Sequence, residues 1–223
     1  MALSEYDSAA WERELQAHRL GYPDDRLVAM ISRHFDGGDG KRALDAGFGS
    51  GRHLKLLLDQ GFRTSGIEVI ASAVREARGA LGDHPNLESI RELDIAGLSS
   101  SDGTFDCIVA WGVAFLRPFP EMTGDLRKLA SLLTSGGRLL ANFRTPDSWF
   151  SGLGERLADS TFRLDQRAGP YEGMTYTFLE RSDVERLMDA AGLRVIDFER
   201  VDLWKNDASQ RHSWWIVAAE PLG

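Results

Sequence analysis

The residues with most chemistry to offer lie together in the run Leu44-Asp45-Ala46-Gly47-Phe48-Gly49-Ser50-Gly51-Arg52. Alternate glycines allow a sharp backbone turn and let a ligand approach main-chain atoms that a Cβ would block. Glu68 stands 21 residues beyond Gly47, at the end of the next strand-like run. A carboxylate there can accept hydrogen bonds from both hydroxyls of a ribose. Together the two features specify an adenosine-containing cofactor. Position 52 decides its kind. The dinucleotide fingerprint G-x-G-x-x-G requires Gly or Ala there, for close helix packing under a pyrophosphate. This chain has Arg52. Asp45 would also repel a pyrophosphate, whereas it suits a cofactor with an ammonium group, reached through loop amides or water. A nicotinamide dinucleotide is therefore disfavoured.

Alternating elements must carry these residues. Leu27, Ile31 and Phe35 recur at helical spacing after Asp24 and Asp25 and predict a helix ending near Gly37-Gly38. Arg42 to Asp45 reads as a strand entering the glycine loop, and Leu54, Leu57 and Leu58 as a helix stopping at Gly61. Further strands are expected near Ser65 to Val69, Ile90 to Ile95, Phe105 to Trp111 and Arg138 to Phe143. One helix spans Met122, Leu126, Leu129 and Leu133. Another spans Val184, Leu187, Met188 and Ala191, with Ser182 and Glu185 as a capping box and Gly192 at its end. Leu193 to Val201 and Ser213 to Ala219, joined by the polar link Lys205 to Arg211, close the chain as an antiparallel pair. The fold expected is α/β and doubly wound: a mostly parallel seven-stranded sheet with helices on both faces and a closing antiparallel strand. Residues 144 to 180, rich in Gly and Pro, are too long for an ordinary connection and read as a partly ordered insertion over the sheet edge.

Composition narrows the function. With 223 residues and 43% hydrophobic content, one domain spanning 1–223 is expected. The net charge is -8 and no stretch concentrates Lys or Arg, so a nucleic-acid partner is not expected. Cys107 is the only cysteine, which excludes an intrachain disulfide and a cysteine metal cluster and fits a reducing cytosol. No metal is expected. No secretory signal is visible and no run of about 18 apolar residues occurs, so a cytoplasmic protein without a membrane span is expected.

The glycine motif with Asp45, the acidic strand end at Glu68 and the later Asp94, in this order, resemble the class I S-adenosylmethionine (SAM) dependent methyltransferases over roughly residues 40 to 145. That resemblance implies a Rossmann-like methyltransferase fold with SAM as cofactor and S-adenosylhomocysteine as product. It implies that Asp45, Gly47, Gly49 and Gly51 surround the methionine part and Glu68 binds the ribose. Asp94 and Ile95 would then meet the adenine edge, with Val69 on the adenine face. Phe105 to Trp111 resembles the family's next motif, which places Trp111 beside the methyl-donating sulfur. Tyr176-Thr177-Phe178 and His212-Ser213-Trp214-Trp215 are similar to stretches of small-molecule and tellurite-resistance methyltransferases.

Methyl transfer needs no nucleophilic residue, so no catalytic residue is assigned. His18, His34, His53, His84 and His212 form no paired motif, and His53 reads as a helix-surface residue. The Asn/Asp-Pro-Pro-Tyr motif of nucleic-acid amino methyltransferases is missing; Trp111-Gly112-Val113-Ala114 stands in its place. Tyr6 and Trp11 mark residues 1–40 as an N-terminal helical lid, and 144–180 as a cover for the substrate site. Phe115 and Arg117 after the fourth strand, Arg144 after the fifth, and Trp149, Tyr171 and Tyr176 in the insertion are the candidate acceptor residues. A small-molecule acceptor methylated on oxygen or nitrogen is the leading expectation. A thiol or metalloid-oxyanion methyltransferase and a noncatalytic nucleoside-binding module stand beside it. The sequence leaves the oligomeric state open.

Overall fold

The computed structural model describes residues 5–17 and 19–222, with side chains from Ser8 onward. Its central strand is β1 (Arg42–Ala46), whose alternation sends Leu44 and Ala46 into one apolar layer and Ala43 into the other. That pattern belongs to a strand covered on both faces. Four strands run parallel in the order β3 (Leu87–Glu92), β2 (Arg63–Glu68), β1, β4 (Phe105–Ala110), and a fifth, β5 (Leu133–Arg144), extends the same direction beyond β4. The sheet ends with β10 (Gln210–Pro221), antiparallel to β5, and β9 (Leu193–Lys205), antiparallel to β10. The seven strands and the one reversed strand are as expected.

The chain moves outward from β1 to β2 and β3, then returns to place β4 on the other side of β1. This is the topological switch point of an open α/β sheet, where a crevice opens beyond the carboxyl ends of the strands. Helices α5 (Phe119–Ala130) and α6 (Arg181–Ala190) cover one face through Met122, Leu126, Leu129, Val184, Leu187 and Met188. The other face carries α2 (Asp25–His34) and α3 (Arg52–Asp59), which bury Leu27, Met30, Ile31 and Leu57. Beside α3, α4 (Ala71–Leu81) packs Val74 and Ala77 against Leu54 and Leu58.

Several local expectations are corrected. The third strand is displaced toward the N-terminus, because Ile95–Gly97 winds into a 3-10 turn directly after Asp94. Helix α2 stops at His34, where Phe35 takes an extended conformation. Helix α6 is capped by Glu180 with Asp183, two residues earlier than Ser182 and Glu185. The link between the last strands shrinks to a tight turn in which Asn206, Asp207 and Ala208 have positive φ, so both strands are longer than the apolar pattern suggested.

The insertion carries a small sheet of its own. It folds into a separate antiparallel sheet of β6 (Glu155–Ala158), β7 (Thr161–Arg163) and β8 (Thr175–Thr177). Phe150, Leu164, Met174, Tyr176 and Phe178 form its core together with Phe115, Leu116 and Ala10 of α1 (Glu5–Ala17). A bond from the Thr177 hydroxyl to the Arg117 carbonyl, 2.7 Å, ties this unit to the end of β4's loop. The expectation of a lid over 1–40 narrows accordingly. Only α1 lies against the insertion, whereas α2 is part of the main core.

Candidate active site

A cleft of about 680 Å³ opens at the carboxyl ends of β1, β2, β4 and β5, a size typical of small-molecule sites. Its floor is the glycine loop. Gly47 has φ +76°, and a Cβ there would come within 2.9 Å of Val113 across the cleft. Gly49 has φ +53° and directs its N–H to the Oε2 of Glu68 at 2.9 Å. Glu68 also accepts from the N–H groups of Val69 (2.7 Å) and Ile70 (3.0 Å) through Oε1. One buried carboxylate thus joins the loop after β1 to the start of α4. Burial raises its pKa, and the three N–H donors oppose that rise.

Of the residues expected at the cofactor, Gly47, Gly49, Glu68, Val69, Asp94, Ile95 and Trp111 line the cleft. Asp45 and Gly51 do not. Asp45 sits behind the loop, 1% exposed, with Oδ2 unpaired; burial and the nearby Glu68 charge push its pKa up to about 8. Gly51 is the left-handed N-cap of α3.

Among the acceptor candidates, Trp11, Phe115, Arg117, Arg144, Tyr171 and Tyr176 line the cleft. Trp149 does not; it is half-buried against Phe150 and His212. Tyr6 lies outside the described side chains.

Arg117 needs a correction. Its Nη2 donates to both oxygens of Asp94 (2.7 and 2.9 Å), and its Nε pairs with Asp125 at 3.0 Å. The guanidinium is therefore held by two carboxylates of its own chain, and it braces the turn after β3 against α5. Burial raises Asp125 to about 6, with Arg117 pulling the other way. Arg144 is bound quite differently: its Nε and Nη1 are buried without any hydrogen-bond partner.

His53 is not a surface residue. It is 4% exposed, meets Trp111 edge to face at 6.3 Å, and its Nε2 accepts from the Asp24 N–H at 3.2 Å. Burial, with Arg52 adding repulsion, lowers its pKa to about 3, so the ring is neutral. The signal was present: His53 and Leu57, like Leu54 and Leu58, are four residues apart and share a helix face. Asn142 was also missed, and its Oδ1 accepts from the Gly112 N–H at 2.7 Å beside the cleft. The final hairpin contributes Leu203, Lys205, His212 and Trp214. Strand alternation puts His212 and Trp214 on one face, and Leu203 is the cross-strand partner of His212.

A family model described as a methyltransferase domain matches residues 15–197. The chain belongs to this methyltransferase family. A search of curated proteins found no sequence match. Among solved structures, the CcbJ methyltransferase from Streptomyces caelestis superposes with TM-score 0.69 and 18% identity, over 97% of this chain and 98% of that one. The 1,6-didemethyltoxoflavin-N1-methyltransferase of Burkholderia thailandensis, with its substrate and S-adenosylhomocysteine bound, gives TM-score 0.68 and 18% identity over 100% and 92%. A Rhodobacter sphaeroides chain provisionally described as a zinc-dependent alcohol dehydrogenase gives 0.72 at 15% identity, over 98% and 100%. At such identities these likenesses establish the fold alone.

In this methyltransferase the cleft has two unlike ends. The glycine loop, Glu68 and the Asp94–Arg117–Asp125 bridge form a polar end after β1, β2 and β3. Aromatic side chains, Asn142 and Arg144 form the other after β4, β5 and the hairpin. Among the described residues no group of three or more His, Cys, Asp or Glu side chains is placed to hold a metal, and no helix is long and apolar enough to cross a membrane.

Proposed function

We propose that this methyltransferase transfers the methyl group of SAM to oxygen or nitrogen of a small molecule by in-line displacement. The two-ended cleft carries the reading: one end offers a buried carboxylate beside a glycine loop, the other a wall of aromatic rings.

The polar end fits the cofactor. A carboxylate has about four lone-pair sites, and Glu68 uses three on backbone N–H groups. The remaining site, and exchange with the loop N–H of Gly49, serve the ribose hydroxyls. Val69 and Ile95 pack on adenine, with Asp94 at its edge. Gly47 and Gly49 let the methionine part approach the main chain, Gly51 turns the loop into α3, and Asp45 acts on the ammonium from behind the loop. Trp111 stands between the two ends. SAM bound there would supply an electrophilic methyl group for an acceptor lone pair, with S-adenosylhomocysteine as the leaving product.

The protein's own residues position the reactants and exclude water. Trp11 from α1, Phe115, and Tyr171 and Tyr176 from the insertion wall the acceptor end, so α1 and residues 144–180 act as its cover. Neither buried histidine is assigned as a base, because His53 Nε2 already accepts a hydrogen bond and burial lowers the two pKa values to about 3 and about 4, which leaves both rings weakly basic. A net charge of -8 argues against nucleic acid as the acceptor.

Calorimetry with SAM, S-adenosylhomocysteine and NAD, followed by turnover assays on hydroxyl, amine, carboxyl, thiol and oxyanion acceptors, tests the reading. SAM and S-adenosylhomocysteine should bind, and turnover should appear with an oxygen or nitrogen acceptor. NAD binding without SAM binding would overturn the cofactor assignment. Turnover confined to thiols or metalloid oxyanions would replace the acceptor class.

A further inference from the structure

The acceptor end of the cleft contains a positive charge with no counter-ion. Arg144, the last residue of β5, is 6% exposed, and its Nε and Nη1 donate to nothing. Among the described residues no carboxylate lies within ion-pairing distance of it; the titratable groups that favour its charge are the Tyr176 and Tyr171 hydroxyls. Rings surround it instead: the guanidinium carbon lies 4.3 Å from the Trp214 centroid, 5.1 Å from Phe150, 5.5 Å from Tyr176 and 5.7 Å from Phe115. Aromatic faces attract a cation, and the Tyr176 hydroxyl accepts one hydrogen bond from it, but Nε and Nη1 stay unfilled. An arginine does not escape burial by losing its proton, so the charge remains and its desolvation stays uncompensated.

His212 adds a second unfilled polar atom. The ring is 4% exposed, stacks on Trp214 at 6.0 Å and 21°, and has Nε2 without a partner. Burial, with repulsion from Arg144 and Lys205, lowers its pKa to about 4, so it faces the cleft as a neutral ring. Trp214 therefore packs against two cleft-lining side chains that each hold a buried polar atom without a partner. Arg117, in the same cleft, has two carboxylates for partners. At Arg144, by contrast, Nε and Nη1 have no partner.

We propose that Arg144, assisted by His212, binds an anionic oxygen group of the methyl acceptor, a carboxylate or similar planar oxyanion carried on an aromatic or otherwise flat body. This rests on the methyltransferase reading of the cleft. A guanidinium matches such a group with two parallel hydrogen bonds, and the surrounding rings accept a flat apolar body beside it. The group is an anchor and not the methylated atom, since pairing with a guanidinium withdraws electron density from the oxygen. The methionine carboxylate of the cofactor is the competing occupant. Position argues against it: β5 is two strands from β1, about 10 Å at the usual strand spacing, and three from Glu68 on β2.

Benzoate and benzamide, equal in shape and different in charge, are the probes, titrated into protein saturated with S-adenosylhomocysteine. The wild type should bind benzoate about tenfold or more tightly than benzamide. That preference should vanish in Arg144→Met, survive in part in Arg144→Lys and weaken in His212→Phe, while the affinity for S-adenosylhomocysteine changes less than about twofold. Equal affinities, or no saturable benzoate binding to the wild type, overturn the proposal even if every variant fails to fold. So does a preference that persists in Arg144→Met. A selective loss of S-adenosylhomocysteine affinity in that variant, with 5′-methylthioadenosine unaffected, would assign Arg144 to the cofactor carboxylate instead. Failure of the wild type to bind S-adenosylhomocysteine at all would be seen before any probe is added, and would strike the cofactor assignment rather than this one.

Discussion

Replacing Glu68 by alanine should weaken the cofactor site twice over. The side chain accepts three hydrogen bonds, from Gly49 at 2.9 Å, Val69 at 2.7 Å and Ile70 at 3.0 Å. Without the carboxylate the glycine loop loses its tether to β2, and α4 loses support at Ile70, its N-cap residue. Those N–H groups border the cleft, so water can reach them, and the stability loss is limited to about 1–3 kcal/mol. For a chain of this length that lowers Tm by roughly 2–12 °C. Cofactor binding loses in addition the hydrogen bonds between ribose and a charged acceptor, about 1.5–3 kcal/mol, or roughly 10- to 150-fold in Kd. Glu68→Gln should not rescue it. If the amide oxygen faces Val69 and Ile70, the NH₂ group confronts the Gly49 donor. Thermal unfolding and calorimetry with S-adenosylhomocysteine measure the two effects separately. A folded Glu68→Ala protein with affinity within about twofold of the wild type would refute the reasoning, because no other side chain accepts the Gly49 N–H.

Asp45 makes stability and cofactor binding depend on pH in opposite senses. With its folded-state pKa raised to about 8, well above the ordinary carboxylate value, it favours the free protein most below about pH 4, and that contribution is lost as pH rises toward 8. A cofactor ammonium favours the ionised form, so SAM affinity should rise over the same window with proton release; Asp45→Asn should flatten both trends, and calorimetry in buffers of different ionisation enthalpy would detect unchanged behaviour. Gly47→Ala combines positive φ with a 2.9 Å approach to Val113 and should cost about 1–2 kcal/mol for the conformation alone. Adding Val113→Ala should recover the contact but not that conformational cost, which a double-mutant cycle of Tm and SAM affinity reads out. Arg117→Met should destabilise by about 3–5 kcal/mol, because Asp94 and Asp125 are left together without a cation. Asp125 stands at about 6 even with Arg117 present and rises further without it, so the variant should be more stable at pH 5 than at pH 8; denaturant unfolding at the two values would show the wrong sign if the bridge were incidental.

The polar end of the cleft was legible because its information is local. The turn after β1, the step to Glu68 and the start of α3 each depend on residues a few positions apart, and period-2 and period-3.6 patterns report such neighbours well. The insertion was not. Its strands β7 and β8 are three residues each, too short to show alternation, and their core is completed by Ala10 and Phe115 from distant segments. The hairpin at the end of the chain was expected, but its reach into the cleft was hidden. The apolar pattern stops near Val201 and begins again at Ser213, whereas the paired strands continue to Lys205 and from Gln210.

Two of the three cleft arginines show where sequence reasoning stops and why. Arg117 and Arg144 each follow a strand of the same sheet, at the ends where ligands bind, and position gave them the same role. What separates them is the company brought by elements far along the chain. Asp94, from the loop after β3, and Asp125, from α5, neutralise Arg117 and make it a brace. Arg144 receives Trp214 from β10, Tyr176 from β8, Phe150 from the insertion and Phe115 from the turn after β4, and among the described residues no carboxylate pairs with it. A buried cation with neutral company has an unfilled requirement for negative charge, and that requirement is a property of the assembled fold rather than of any segment. Arg144 is therefore the side chain at which an assay for the acceptor's charge has the most to say.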